Sequence, residues 1–288
     1  LKWYKNYGGK WIDKINGLAI DDEGNMLAVG LSNSFGVSVD TSVRRYNDLF
    51  YLVYMNVDGE IIWDTTFQAN GKVLNNSNAA NCVVFLENKS FAVVGTTLNF
   101  TFKDGPVNIW WTYDGYVFGI NKNKTILWKT QVFKTPVSPD PYLRDERIPV
   151  ATLNGKGDII AQMTTEIYNP GDHNYFMSLA KLSKNGTSDS VNGSVWKTKD
   201  LYCLGTNEST PMNWNDTGGV VFYNYLNNSL DFTNPSGSVY KSFQLNRQLY
   251  ISSIERMDNQ FLLTSGRAAK NNIGNIPGWL VVNNQGKI

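Results

Sequence analysis

The sequence has very few of the residues that build metal centres and disulfide frameworks. Among its 288 residues there are one histidine, His173, and two cysteines, Cys82 and Cys203. A single histidine excludes a three-histidine metal centre within the chain, and the motifs H-E-x-x-H, C-x-x-C and G-x-S-x-G are absent. The sequence therefore predicts no metal and no cofactor, and a solvent-exposed loop position for His173. A Cys82–Cys203 disulfide remains open as an alternative.

Charge and long apolar runs are also scarce. Charged residues make up 18% of the chain, the net charge is +1, and the pair Arg44–Arg45 is the largest basic cluster. This balance argues against nucleic acid as a partner. No apolar run approaches 18 residues, so no transmembrane segment is expected. Polarity comes instead from 35 Asn, and 9 Trp, 15 Tyr and 14 Phe complete a composition typical of strands and turns.

A sequence repeat that contains four short apolar runs occurs about five times along the chain. In the first copy, residues 17–67, the runs are separated by turn sequences such as DDEGN and VDGE. The runs are short and rich in β-branched and aromatic residues, which favours strands over helices. An aromatic residue marks the last run of each copy: Trp3, Trp63, Trp128, Trp196 and Tyr240. Repeated four-stranded antiparallel units predict an all-β fold, a β-propeller with five blades.

The two ends of the chain carry complementary halves of one copy. The final stretch VVNNQGKI stops before its aromatic run, and LKWYKNYGG at the other end contains that run. We therefore expect residues 1–7 to join the last blade as a strand and close the ring. The predicted blades of this single domain, residues 1–288, are 8–67, 68–133, 134–201, 202–245 and 246–288 with 1–7. The alternatives are an open array of repeats, or exchange of the N-terminal strand between molecules to build an extracellular polymer.

The first copy resembles a propeller repeat of bacterial and archaeal surface proteins, of the form W-x-K-x-Y-G-G, then S-F-G, then D-x-x-G-x-x-x-W. The matching residues are Trp3, Lys5, Tyr7, Gly8, Gly9, Asp13, Gly24, Gly30, Ser34, Phe35, Gly36, Asp40, Asp58, Gly59 and Trp63. The stretch MNVDGEIIW is also similar to PQQ-type repeats, but nothing in the sequence indicates the quinone. The resemblance implies a secreted or cell-surface protein of a prokaryote such as an archaeon, and it specifies the fold better than the function.

Acceptor sites for N-linked glycans are more frequent than composition explains. Nine Asn-X-Ser/Thr sites occur, against about five expected by chance for the acceptor pattern. Nearly all of them fall in predicted turns or loops, where a bulky glycan can be accommodated. The sequence therefore predicts an extracellular glycoprotein, with these candidate sites: Asn75, Asn88, Asn99, Asn123, Asn185, Asn192, Asn207, Asn215 and Asn227.

The long connections are predicted to emerge on one face of the blades, in residues 31–48, 98–114, 134–147 and 267–277. One of them contains the candidate binding residues Trp110, Trp111, Tyr113 and Asp114, and a weaker candidate is Trp214. Aromatic rings beside amides and carboxylates suit stacking on sugars or contact with proteins. The alternative is that Trp110 and Trp111 cover the core beneath their loop.

Paired carboxylates are the one route to catalysis that the sequence leaves open. Asp13, Asp40, Asp114 and Asp145 lie in predicted loops and could converge as the acid and base of a glycoside hydrolase. Alternatively, Asp13 and Asp40 accept backbone N–H bonds in turns. The favoured function is non-catalytic, with a structural, adhesive or ligand-binding role at the cell exterior. The expected partner is a cell-surface protein or glycan, self-association is an option, and a carbohydrate-active hydrolase is the second reading.

Overall fold

The computed structural model describes residues 3–35, 48–68, 77–102, 109–132, 144–169, 172–187, 195–202, 212–215, 217–224, 227–245, 250–258, 260–267 and 278–283. Strands and turns account for all regular structure in these ranges, and no helix occurs among them. The described residues therefore contain no helix of the length and apolar character needed to cross a membrane.

The strands of the described residues form five sheets. Sheet 1 contains β1 (Asp13–Ile20), β2 (Met26–Ser32), β3 (Leu49–Met55) and β4 (Ile61–Phe67). Sheet 2 contains β5 (Asn78–Phe85), β6 (Ser90–Phe102), β7 (Ile109–Asn121) and β8 (Ile126–Val132). Sheet 3 contains β9 (Arg144–Leu153), β10 (Ile159–Asn169), β11 (Asp172–Leu182) and β12 (Val195–Tyr202).

Sheets 4 and 5 complete the series. Sheet 4 contains β13 (Met212–Trp214), β14 (Val220–Asn224), β15 (Ser229–Thr233) and β16 (Val239–Gln244). Sheet 5 contains three strands in the described part of the chain, β17 (Tyr250–Met257), β18 (Gln260–Arg267) and β19 (Gly278–Asn283). The predicted all-β class with repeated four-stranded antiparallel sheets is confirmed.

The chain divides into two compact units. Unit 1 contains Leu1–Pro149, Glu166–His173 and Lys184–Thr187, and unit 2 contains Val150–Thr165, Asn174–Ser183 and Ser188–Ile288. In unit 1, sheets 1 and 2 bury a shared core that includes Leu27, Leu52, Phe91 and Phe118. In unit 2, one core joins strands of sheets 3 and 4, and a second core joins strands of sheets 4 and 5. Within each unit, successive sheets thus share a buried core.

The high asparagine content has a local structural explanation in the hairpin turns. In six five-residue turns, a side-chain oxygen of the first residue accepts hydrogen bonds from the backbone N–H groups two and four positions later. Asx side chains are suited to this because they mimic a backbone turn. The first residues are Asp21, Asn56, Asn121, Asn154, Asn215 and Asn234.

Indole side chains contact the turn between the third and fourth strands of the neighbouring sheet. Trp63 of β4 donates from Nε1 to the carbonyl of Lys122, the second residue of the β7–β8 turn, at 2.6 Å. Trp128 of β8 lies against the β11–β12 turn, where a Cβ on Gly186 would come within 2.1 Å of its ring. Gly186 also has a φ of +74°, so glycine is required there on both grounds. These contacts connect successive sheets in unit 1.

The segment before β1 makes the same kind of contact with sheet 1. Trp3 donates from Nε1 to the carbonyl of Val57, the second residue of the β3–β4 turn, at 2.9 Å. The Tyr7 hydroxyl donates to the carbonyl of Gly59 at 2.7 Å, and Lys5 forms an ion pair with Glu60. Residues 3–9 themselves form no strand. The predicted strand pairing of residues 1–7 with the last repeat is therefore not confirmed.

Asparagines at bulges connect the first strands of neighbouring sheets in unit 1. The pairing of β1 with β2 shifts at Asn16, and its side chain donates to the carbonyl of Ala80 at 2.9 Å. The pairing of β5 with β6 shifts at Asn81, which donates to the carbonyl of Ile148 at 2.8 Å. A bulge leaves one residue out of the ladder, so its amide is available for a neighbouring strand.

A buried carboxylate in unit 1 carries a perturbed pKa. Asp21 accepts hydrogen bonds from the Tyr54 hydroxyl at 2.6 Å and pairs with the Lys122 ammonium at 3.0 Å. Burial by itself would raise the pKa of Asp21. Hydrogen bonds from Tyr54, from Lys122 and from the amides of Glu23 and Asn25 outweigh burial and lower the pKa from 3.8 to about 2.

This pKa predicts an acid-dependent stability. Because the unfolded chain binds a proton at Asp21 more readily than the folded chain, the folded state loses stability as the pH falls from about 4 to about 2. Melting temperatures of the wild type and of Asp21→Asn, recorded from pH 5 to pH 2, should show a steeper decline for the wild type. Parallel curves for the two proteins would contradict the assignment.

Candidate functional site

The sheets of unit 1 have a turn end and a loop end. At the loop end, Asp13, Ser32 and Leu49 pair across sheet 1, and Asn78, Thr97 and Asp114 pair across sheet 2 in the equivalent rung. We call the residues of these rungs, and the residues that extend from them away from the turns, the loop end. Its described members include Gly9, Lys10, Trp11, Asp13, Ser32, Ser34, Phe35, Asp48, Ser77, Asn78, Thr97, Tyr113, Asp114 and Arg147.

One predicted loop at this end is a long hairpin. Residues 98–114 are predicted from the sequence to be one of the long connections between strands. In the structure, β6 and β7 remain paired as far as Phe102 and Ile109, so the loop prediction is wrong for all but residues 103–108, which lie outside the described ranges. β-branched and aromatic residues are frequent on both strands, and such residues stabilise a paired ribbon. The hairpin projects beyond the rung of Asp114.

The predicted binding residues of this hairpin occupy β7. Trp110 and Trp111 pair through their backbones with Thr101 and Phe100. The guanidinium carbon of Arg147 lies 3.8 Å from the centroid of the Tyr113 ring, which is close enough for a strong cation–π contact. Arg147 was not predicted, because its position in the sequence gives no sign that β9 brings it to Tyr113.

Asp114 is held inside the sheet. It is buried, and its Oδ2 accepts a hydrogen bond from Gln131 Nε2 of β8 at 2.9 Å. The residues paired in the same rung, Asn78 and Thr97, are also buried, and Thr97 Oγ1 donates a hydrogen bond to Asn78 Oδ1 at 2.9 Å. Ser77 donates to Asp48 Oδ2 at 2.7 Å, linking sheet 2 to the start of β3. These contacts fix the strands from which Tyr113 projects.

Asp13 organises the loop end of sheet 1. Its Oδ2 accepts hydrogen bonds from the Gly9 amide at 2.8 Å and from the Ser34 hydroxyl at 2.7 Å. Burial alone would raise the pKa of Asp13, but hydrogen bonds from Ser32, Ser34 and Gly9 lower it. The Y-G-G, Asp and S-F-G elements of the resemblance thus meet in space, and they hold the chain together there.

The contacts of the aspartates bear on the hypothesis that two of them act as the acid and base of a glycoside hydrolase. A general acid needs a pKa near the working pH, which burial or a like charge must raise. The pKa of Asp13 is lowered, which does not suit a general acid. The hydrogen bond that its carboxylate accepts from the Gly9 amide agrees with the alternative that Asp13 stabilises a turn. Asp114 bonds to Gln131, Asp145 lies in β9, and Asp40 is outside the described residues. Throughout the described ranges, no three His, Cys, Asp or Glu side chains group as metal ligands.

Trp11 and Phe35 are exposed aromatic residues at the loop end that sequence reasoning missed. The exposed fractions are 64% for Trp11 and 45% for Phe35. Phe35 contacts the Tyr51 ring at a centroid distance of 5.4 Å, and the Lys10 ammonium lies 5.4 Å from the Trp11 centroid. The S-F-G motif contained the signal for Phe35, whereas the bond from the Trp11 amide to Ser34 Oγ becomes evident only in the fold.

The glycan acceptor candidates separate by burial. Asn88, Asn123, Asn185 and Asn227 are exposed in hairpin turns. Asn215 is 2% exposed, and its amide nitrogen donates to the carbonyls of Val220 and Thr233, so a glycan there would disrupt a buried turn. Asn99 lies in β6. Asn75, Asn192 and Asn207 fall outside the described residues.

Three further sequence predictions have the following positions. Trp214 ends β13, where its backbone pairs with Val220 of β14. His173 lies in β11, so the prediction that it occupies a loop is wrong. Cys82 lies in β5, whereas Cys203 is outside the described residues, so the disulfide stays the open alternative that the sequence leaves.

The fold and the site together define a class, that of repeat proteins built from successive antiparallel sheets of four strands. No protein-family model matches the chain, and no curated protein matches it either. Among solved structures, the chain is similar to a protein of unknown function from Bacteroides caccae, with 12% identity, a TM-score of 0.51, and coverage of 96% of this chain and 80% of that one. At this identity the likeness concerns the fold alone.

A polysaccharide lyase, the ulvan lyase of family PL25, is also similar. The identity is 10% and the TM-score is 0.53. The match covers 92% of this chain but 63% of the lyase, so the chain spans less than two thirds of that protein. The lyase has also been solved with the saccharide -[GlcA(1-4)Rha3S]- bound.

Proposed function

We propose that this protein is a five-bladed β-propeller of the cell exterior that binds acidic glycans at the loop end, without catalysing a reaction on them. The observation that carries the proposal is the Arg147 guanidinium at 3.8 Å from the Tyr113 ring centroid. The neighbouring residues Trp110, Trp111 and Asp114 belong to the same hairpin, and Trp214 is retained as a weaker candidate. The partner is a glycan or a glycosylated surface protein.

A stacked guanidinium is suited to acidic sugars for two reasons. Arg147 lies over the Tyr113 ring, and a guanidinium carries a full positive charge and a planar fork of N–H donors that matches a carboxylate or sulfate in a bidentate manner. Contact with an aromatic ring also limits the freedom of the side chain, so less conformational entropy is lost on binding. A lyase with a similar fold has been solved with a glucuronate-containing saccharide, which is consistent with this ligand class.

The ring part of the proposal rests on the segment before β1. The Trp3 indole donates a hydrogen bond to the carbonyl of the second residue of the β3–β4 turn in sheet 1. The Trp63 indole donates the equivalent bond to the second residue of the β7–β8 turn in sheet 2. Trp63 belongs to a fourth strand, and sheet 5 has three strands among the described residues. Residues 1–7 form no strand where the structure describes them, and on the strength of this shared contact they are the proposed fourth strand of sheet 5. Pairing of these residues with β19 would close the ring of blades.

Placement at the cell exterior is supported by the acceptor asparagines. Asn88, Asn123, Asn185 and Asn227 are exposed in turns, where a glycan adds bulk without loss of packing. Asn215 is left out of this part of the proposal because its amide is buried and bonded.

Binding assays with two polysaccharides test the function. In affinity electrophoresis, the wild-type protein should be retarded by a glucuronic acid polymer and not by neutral dextran. Arg147→Ala should weaken binding by about tenfold or more, because removing a charged anchor at a binding site typically costs at least that much. Tyr113→Ala should weaken it as well. Lys241→Ala serves as a control, since Lys241 also lies over an aromatic ring, that of Phe243, but belongs to the outer strand β16.

Two results would contradict the proposal. One is a wild-type protein that the acidic polymer does not retard. The other is an Arg147→Ala protein that binds the polymer as well as Lys241→Ala does. Circular dichroism of each variant verifies that the strands are retained.

A further inference from the structure

Trp11 is a large aromatic side chain that the fold leaves in solvent. Its exposed fraction is 64%, and the nearby residues Ile12 and Phe35 are 59% and 45% exposed. Burial of an indole is worth several kcal/mol in a core, so a chain gains stability by covering one. Exposed aromatic residues grouped on a surface mark sites of contact with a ligand or partner.

The backbone beneath Trp11 is fixed by hydrogen bonds on both sides. The Trp11 amide donates to Ser34 Oγ at 2.8 Å, and the Ile12 amide donates to Asn33 Oδ1 at 2.8 Å. The backbone N–H of Asn33 in turn donates to the Ile12 carbonyl at 3.1 Å. Ser34 is held by Asp13 at 2.7 Å. A ring presented from such a backbone is preorganised for stacking, which lowers the entropic cost of binding.

The ammonium group of Lys10 lies close to the Trp11 ring. The Lys10 ammonium lies 5.4 Å from the Trp11 ring centroid, within the range of a cation–π contact. An indole face suits the C–H face of a sugar ring, and an ammonium suits a carboxylate or sulfate on that sugar. Charge and shape at this position therefore match one residue of an acidic polysaccharide.

We propose that Trp11 and Lys10 form a second subsite for the acidic glycan, in addition to the Tyr113–Arg147 site. This inference rests on the proposed function and adds that the ligand is a polymer. Both subsites lie at the loop end, because Asp13 and Asp114 occupy equivalent rungs of sheets 1 and 2. Packed sheets are roughly 10 Å apart. A monosaccharide therefore occupies one subsite, whereas a chain of several sugars reaches both.

Chain length separates the two subsites experimentally. Isothermal titration compares wild type and Trp11→Ala with a glucuronic acid polymer and with glucuronic acid monosaccharide. Trp11→Ala should bind the polymer about tenfold more weakly, as loss of one of two linked contacts predicts. Its affinity for the monosaccharide at the Tyr113–Arg147 site should not change. Trp11→Phe, which keeps an aromatic face, should restore most of the polymer affinity.

Tyr4→Ala is the matched control, because Tyr4 is 76% exposed but lies between Trp3 and Tyr7, which bond to the β3–β4 turn at the other end of sheet 1. Equal polymer affinity for Trp11→Ala and Tyr4→Ala would overturn the second subsite, and the proposed function would stand if Arg147→Ala still lost binding. A wild-type protein that binds neither ligand would overturn the function and the subsite together. If Trp11→Phe binds the polymer as poorly as Trp11→Ala, stacking is not the contact and the inference fails.

Discussion

Replacement of Trp63 by alanine is expected to lower the free energy of unfolding by about 3 kcal/mol, the lower end of the range for truncating a packed Trp. Its ring lies 5.3 Å from the Tyr54 ring and packs against the core shared by sheets 1 and 2. Its indole N–H also bonds to the Lys122 carbonyl. The variant therefore loses packing within one sheet and a connection to the next.

A conservative variant separates these two contributions. Trp63→Phe keeps an aromatic ring and removes the indole donor, so it should cost about 1 kcal/mol, the net value of one hydrogen bond. Trp279→Ala should change stability by less than about 0.5 kcal/mol, as is usual for exposed positions. Urea denaturation followed by tryptophan fluorescence or circular dichroism measures all three. A cost for Trp63→Ala no larger than that of Trp279→Ala would refute the role given to this side chain.

Removal of residues 1–7 is expected to have an effect of at least the same size, about 3 kcal/mol or more. The deletion eliminates the Trp3 and Tyr7 bonds to the β3–β4 turn and exposes the face of sheet 1 formed by Ala28, Tyr51, Val53 and Met55. A packed Trp alone accounts for this magnitude. If residues 1–7 are also the fourth strand of sheet 5, amide exchange should rise in β19 as well as in the β3–β4 turn.

Hydrogen exchange with mass spectrometry distinguishes the possible architectures. Increased exchange in both segments supports the ring, whereas an increase confined to residues 56–60 contradicts closure by residues 1–7. A mass in solution that grows with protein concentration and falls to the monomer on deletion would instead favour strand exchange between molecules. Tyr4→Ala is the matched control, since Tyr4 lies within the deleted segment and is 76% exposed.

The local structure was predictable because it depends on residues close together in sequence. Alternation of apolar and polar residues identified the strands, and Asn or Asp with Gly identified the tight turns. The turns at Asn56 and Asn121 illustrate why, since each is closed by one side chain bonding to amides two and four positions ahead. The sequence-based prediction failed for residues 98–114, which were assigned to a loop although β6 and β7 are paired there as far as Phe102 and Ile109.

The candidate site was predictable only in part. Tyr113 was identified from its aromatic neighbours, but Arg147 and Trp11 were not, because neither belongs to a motif. Asp13 was a candidate acid from its residue type. The structure surrounds it with donors from Gly9 and Ser34, which lower its pKa. Its role is therefore set by partners that the sequence does not identify as neighbours.

By itself, the sequence determined the all-β class, the repeated four-strand unit and the position of the turns, because strand periodicity and Asx hydrogen bonds act over a few residues. The tertiary structure alone decided which carbonyl Trp63 bonds, that Arg147 lies over Tyr113, and that Asp13 joins Ser34. These contacts connect residues that are distant along the chain. Their formation depends on how whole sheets pack, and packing is set by the summed burial of many side chains rather than by a local pattern.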